Sequence, residues 1–426
     1  MRLTDHEKTI LDGKEGRVKQ KALELLVRYG EALGAERLVQ TNNVCGGVPG
    51  GLPNVRDFAK EAGSIDAVFS EINLDAGEIL EIPQVEAMSY RLIQGMDPAY
   101  WELQGVSREN YELNMQIEKF CARIGLNLMN TCAPYQVGNI PVKGEHCAWM
   151  ESSAVIYCNS VLGARTNTEG SASTGAAMLV GKIPFWGYHL EENRKGTHLV
   201  EVEYEVESVM DWSLLGYYVG EIVQEKIPVL AGIKNVPNLS KLKQMGAAAA
   251  SSGGVEMYHI VGITPEARSL GEAFGKNKPV ETLRFGATER KDAYENVTSA
   301  KDPNVDFVML GCPHYSLEQV WQACRLLERK KIHPDVHLWI FTAQAIKTVA
   351  DRMGYTAIIQ KAGGYLMTDT CPAIGGVKPE GARVAAADSC KQAHYMQPNL
   401  GLDTWFGSLE DCIDAALTGK WRGELS

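Results

Sequence analysis

The chain has 426 residues, a formal net charge of −11 and an ordinary globular composition, with 45% apolar and 22% charged residues. That acidic balance offers no basic face for nucleic acid and no attraction to an anionic membrane. No apolar run approaches the roughly 18 residues that a membrane-spanning helix needs.

At roughly 150 residues per domain the length predicts two or three α/β subdomains across 1–426. The charged start, Met1-Arg2-Leu3-Thr4-Asp5-His6-Glu7, lacks the apolar core of a signal peptide, so the cytoplasm is the expected compartment. Leu23, Leu25, Leu26, Tyr29 and Leu33 recur at helical spacing within 16–34. A buried strand is predicted at 126–129, and a helix after His146. Alternation over 199–206 and the apolar run 229–233 predict two further strands. A helical pattern follows Asn238 and leads to a strand at 255–261. In the polar stretch 265–303 strand signals fade, and a subdomain boundary is expected there. Beyond it the pattern predicts strands at 305–310, 337–342 and 357–360, with helices at 316–330 and 343–353. Strands alternating with helices imply βαβ units and mostly parallel sheet, which places ligands at the carboxyl ends of the strands.

Ten cysteines in a reducing compartment read as buried thiols or metal ligands rather than disulfides. Cys121, Cys324 and Cys412 lie in amphipathic helices, where a cysteine packs as a small hydrophobe. Cys147, Cys158 and Cys390 are read as packing residues, and Cys45, in a glycine-rich loop, as a packed thiol beside the site. Cys132, Cys312 and Cys371 differ, because each stands at a predicted loop with proline one or two positions on. Proline fixes the direction in which the chain leaves, and it biases the residue before it to extended geometry. Thiols presented in this way above a parallel sheet suit metal-cluster ligation. Their separations match no local metal motif, so residues alone leave two readings open: cluster ligands, or three unrelated buried thiols before turns.

Other motifs exclude other chemistries. Gly170-Ser171-Ala172-Ser173-Thr174-Gly175 has the spacing of a phosphate-binding loop but continues Ala176-Ala177, where lysine and a hydroxyl are needed. Gly46-Gly47-Val48-Pro49-Gly50-Gly51 shows no strand-then-helix context for a dinucleotide. No HExxH signature is present.

The segments Thr131-Cys132-Ala133-Pro134-Tyr135, Glu151-Ser152-Ser153-Ala154-Val155, Asn159 through Asn167, Gly311-Cys312-Pro313-His314, Thr370-Cys371-Pro372 and Asp388-Ser389-Cys390-Lys391 occur in an order that resembles the catalytic large subunit of the aconitase X family. The resemblance covers nearly the whole chain. It implies a multi-domain aconitase-like core without the swivelling small domain, and a hydro-lyase that dehydrates a small hydroxy carboxylate. It implies that Cys132, Cys312 and Cys371 hold iron, as a 2Fe-2S or 4Fe-4S cluster or a mononuclear ion. It further implies substrate contacts from Ser152, Ser153 and Lys391, and a separate small partner subunit carrying a serine base.

Two loops that contact substrate in relatives depart from the pattern here: 43–49, which includes Gly46 and Gly47, and 73–77, which begins at Asn73. Arg165 is a candidate carboxylate clamp or an ordinary ion pair. His314 is a candidate partner of a cluster sulfur or of substrate, or a satisfied loop histidine. No basic cluster stands near the motifs, so cis-3-hydroxy-L-proline is the expected substrate, ahead of mevalonate 5-phosphate. An iron–sulfur redox or sensor protein is the non-enzymatic alternative.

Overall fold

In this computed structural model residues 1–48, 53 and 55–425 are described, and their strands form four sheets. The small pairing of Leu38–Gln40 with Lys182–Pro184 is antiparallel, and the other three sheets are parallel throughout. The helix Arg17–Ala32 buries Ala22, Leu23, Leu25 and Leu26, the stripe its spacing predicts. It packs on the helix Ser171–Val180. Beside them lies a three-stranded sheet with Asn43–Gly46 at its centre, between Met88–Arg91 and Ala148–Trp149. A strand therefore does lead into Gly46 and Gly47, while Pro49, Gly50 and Gly51 lie outside the described residues.

The stretch 126–129 is not a strand. It makes one bridge, Asn127 to Tyr90. The Asn127 amide binds the Ser89 carbonyl, Leu128 turns outward, and Asn130 takes φ 44°, so no ladder can continue. After Trp149 the chain opens the short helix Ser152–Tyr157.

The middle sheet orders His259–Ile260, Pro228–Ala231, His198–Val202 and Glu281–Phe285. The strand 199–206 stops at Val202, ahead of the capping box that Ser208 and Asp211 build for the next helix. The strand 255–261 shrinks to His259–Ile260, since the Tyr258 N–H is taken by the Ser160 hydroxyl. Glu281–Phe285 lies within the polar stretch 265–303, where the sequence shows no strand. It is an edge strand with Glu281, Thr282 and Arg284 exposed, so it has no apolar alternation to read.

The last sheet orders Tyr365–Met367, His337–Thr342, Phe307–Tyr315, Val384–Ala387 and Asp403–Phe406. The predicted strand 357–360 is instead the helix Tyr355–Ala362, bounded by Gly354 at φ 78° and Gly363 at φ 105°. Thr356, Ile359 and Ala362 are buried at helical spacing, which a four-residue apolar run cannot distinguish from a strand. The strand from Phe307 does not end at Leu310 either. It continues through a register shift to Tyr315, so Cys312 sits inside the bulged end of a strand rather than in a loop after one.

Helices Val209–Val223 and Leu239–Gly253 pack backbone to backbone through small residues. A Cβ on Gly216 would stand 2.1 Å from the Met245 carbonyl oxygen, and one on Gly253 1.8 Å from that of Gly220. Gly216→Ala is therefore expected to lower unfolding free energy by about 2–3 kcal/mol, an overpacking cost that the backbone cannot relax. Gly271→Ala, whose Cβ meets nothing closer than 3.8 Å, should change it by less than about 1 kcal/mol. Urea unfolding of both variants checks the difference.

Candidate active site around three cysteines

Cys132, Cys312 and Cys371 come from three distant parts of the chain, and each is 7% exposed. All three line one cavity of about 270 Å³, together with Glu151, Ser152, Ser153, Lys391 and Tyr395. His314, two residues beyond Cys312, holds their supporting loops together. Its Nδ1 lies 3.0 Å from the Thr131 hydroxyl and its Nε2 2.9 Å from the Thr370 carbonyl, so it reaches the residues just before Cys132 and Cys371. A carbonyl only accepts, so Nε2 carries the proton and Nδ1 accepts from Thr131. Burial lowers His314 to about 4, which keeps the ring neutral and this tautomer in place. The His314 backbone N–H donates to the Cys132 sulfur at 3.3 Å.

Burial raises all three thiols: Cys132 to about 12, Cys371 to about 11, and Cys312 well above its ordinary value. The nearby Glu151 charge adds to each rise, while Lys391 opposes it. Among the described residues, no three His, Cys, Asp or Glu side chains gather closely enough to hold a single metal ion.

Across the cavity the Lys391 ammonium donates to Glu151 Oε1 at 2.5 Å and to the Ser152 hydroxyl at 3.3 Å. The Ser153 hydroxyl donates to the same Glu151 oxygen at 3.1 Å. Burial alone would raise Glu151 and lower Lys391. Their mutual attraction outweighs both effects, holding the carboxyl below and the ammonium above its usual range.

Family models described as aconitase X first, second and third domains match residues 1–192, 196–295 and 305–418. The phosphomevalonate dehydratase large subunit of Methanocaldococcus jannaschii is 36% identical, over 97% of this chain and 99% of that protein. The chain belongs to the aconitase X family. The cis-3-hydroxy-L-proline dehydratase of Pseudomonas aeruginosa is 33% identical over 98% of this chain, which covers 70% of that longer protein. The crystal structure of Thermococcus kodakaraensis aconitase X in its holo-form superposes with a TM-score of 0.82 at 32% identity, covering 98% of this chain and all of that one.

Within this aconitase X chain the cavity gathers Cys132, Cys312, Cys371, Ser152, Ser153 and Lys391, but not the other candidates. Arg165 bonds the His189 carbonyl at 2.8 Å and Glu191 at 2.5 Å, away from the cavity; it is an ion pair, not a clamp within it. Both ring nitrogens of His314 are engaged between loops, so the ring meets neither sulfur nor cavity. Asn73 binds the Ser171 carbonyl at 2.7 Å and holds Gly47 from behind. Gly46 leaves room for the Thr174 side chain, whose Oγ1 would lie 2.4 Å from an added Cβ. Gly47 lines a second cavity beside the first.

Two charged groups at or beside the site carry no sequence signal of their own role. Glu151 reads there only as part of a motif. Lys243 stands between Leu242 and Met245 on a buried helix face, a position where a lysine is itself the signal. Its three donors meet Gln136 at 3.2 Å, the His314 carbonyl at 2.9 Å and Gln319 at 2.6 Å. Burial lowers it to about 8, partly offset by Cys132 and Asp388.

Lys391→Met leaves the Glu151 charge buried without its partner and is expected to cost about 3–5 kcal/mol, whereas Lys391→Met with Glu151→Gln recovers most of that loss in urea unfolding. His146 and His189 face each other through Nδ1 at 3.0 Å. Burial, followed by neighbouring cationic groups, lowers them to about 4 and about 3. The unfolded chain therefore takes up protons first as pH falls. Stability from this pair is complete above about 6.5 and is lost as pH drops toward 4 and 3. His189→Gln is expected to make the fall in unfolding midpoint between pH 6.5 and 4 shallower.

Proposed function

We propose that this chain is the metal-carrying part of a hydro-lyase that dehydrates a small hydroxy carboxylate. The observation that carries the reading is the meeting of three distant thiols with Lys391, Glu151 and Ser152 around one cavity. The donor set fits an iron–sulfur cluster: thiolates are its ordinary ligands, and three rather than four leave a position open to substrate. Three thiolates with an open position also suit a mononuclear iron. Cys132, Cys312 and Cys371 would hold the cluster, which supplies a Lewis acid for the departing hydroxide.

The chain's own groups do the rest. Lys391 and the Ser152 hydroxyl orient the substrate carboxylate, with Glu151 holding the ammonium in place. Ile93, Ala373 and Ile374 line the cavity with apolar surface. The proton-abstracting base comes from a small partner subunit carrying a serine. Support for that lies in the relatives named as large subunits, and in the longer cis-3-hydroxy-L-proline dehydratases, of which this chain covers 70%.

Anaerobic purification with the small partner co-expressed should give iron, sulfide and turnover of a hydroxy acid. Cys132→Ser, Cys312→Ser and Cys371→Ser should each lose iron and reduce turnover at least 1,000-fold, on the order of the loss of about 4 kcal/mol of transition-state stabilisation. Cys324→Ser, in a helix away from the cavity, should retain both. Full iron in any of the first three would remove that residue from the ligand set, and iron-free protein would remove the cluster altogether.

A further inference from the structure

The helix Leu239–Gly253 carries Lys243 and Gln244 to the backbone that presents two of the cysteines. Gln244 donates to the Cys312 carbonyl at 3.2 Å, and Lys243 to that of His314, whose N–H binds the Cys132 sulfur. The other two acceptors of the ammonium, Gln136 and Gln319, are neutral amides. Lys243 is 2% exposed, and among the described residues no carboxylate forms an ion pair with it. Neutral acceptors satisfy its three donors but not its charge, and an uncompensated ammonium is among the costliest groups to bury. The acidic groups that act on it are Cys132, Asp388, Cys312 and the exposed Glu318. Solvent screens Glu318. Asp388 is bound by the Tyr315 hydroxyl rather than by the ammonium. That leaves Cys132 and Cys312, which become anions when metal binds, since the thiolate is the ligand form. Lys391, the other buried ammonium beside the sulfurs, already has Glu151.

We propose that Lys243 is the fixed counter-charge of the metal–thiolate centre, a positioning residue that acts through Cys132 and Cys312. Its charge gains a full partner only in the loaded protein, so it strengthens metal retention. A buried positive charge also favours the reduced, more negative form of the centre and so holds its reduction potential up. Lys243 does not line the cavity of the cysteines, so it does this from behind the ligands without meeting substrate. The inference rests on the reading of Cys132, Cys312 and Cys371 as metal ligands, and it adds a residue that tunes them.

Two variants of the anaerobically prepared enzyme, with its small partner, separate charge from hydrogen bonding. Lys243→Gln keeps an amide donor in place and removes the charge. Gln319→Glu keeps the lysine and its hydrogen bond but sets a carboxylate against the ammonium, at a contact of 2.6 Å. It gives the buried charge a partner within the fold, and it serves if Lys243→Gln fails to fold. In both variants, iron transfer to a ferrous chelator should quicken about 10- to 100-fold, the range for groups that support a metal ligand. The midpoint potential of the bound iron, read by redox titration, should move negative in both. A residue that only held the His314 carbonyl would leave the potential of Gln319→Glu where it was. Potentials unmoved in both variants, whatever the release rates, would make Lys243 a structural support and overturn the proposal, with the cysteine ligands left standing. Iron-free protein before any substitution would overturn the ligand reading and this inference with it.

Discussion

The His314 imidazole spans from the Thr131 hydroxyl to the Thr370 carbonyl, and those two residues precede Cys132 and Cys371. His314 itself follows Cys312 by two positions along the bulged end of a strand. One neutral ring therefore ties together three pieces of chain that share no local sequence. Its own carbonyl is held in turn by Gln136 and Lys243. A protonated ring would donate from both nitrogens and give up its acceptor to Thr131, so burial and the carbonyl partner together define the arrangement.

Around this frame the charges are few and each is placed. Lys391 approaches the sulfurs from the cavity side, paired with Glu151, and favours the thiolate form of Cys132, Cys312 and Cys371. Lys243 lies on the His314 side and meets only neutral oxygens through its donors. Its ammonium is stabilised by Cys132 and Cys312 when these are anionic. Lys391 thus opposes, without overcoming, the burial that raises the thiols. Cys312, Cys371, Lys391 and Glu151 lie at or just after the carboxyl ends of parallel strands, where an α/β sheet places its ligands, whereas Cys132 comes from a loop.

What the sequence made legible follows from the length and isolation of each signal. His337–Thr342 is a long apolar run between polar flanks, and it forms the predicted strand without change. The helix Tyr355–Ala362 fails because its apolar core is too short to show a period. Glu281–Phe285 fails because an exposed edge carries no apolar stripe. Within the site, the prolines beside the cysteines left two readings open, and only the family resemblance led to an expectation that Cys132, Cys312 and Cys371 share one cavity. His314 was legible as important, yet its role is set by Thr131 and Thr370, from parts of the chain no pattern links to it.

The central claim is that the three cysteines hold a cluster with a position that substrate enters. Mössbauer spectroscopy of iron-57-labelled, anaerobically prepared protein with its small partner tests this most directly, recorded with and without a hydroxy-acid substrate. The account predicts a cluster signal in which one iron changes its parameters when substrate is added, and no such signal in Cys371→Ser. A cluster whose spectrum is indifferent to every hydroxy acid, but which cycles between oxidation states, would contradict it and make this chain a redox protein.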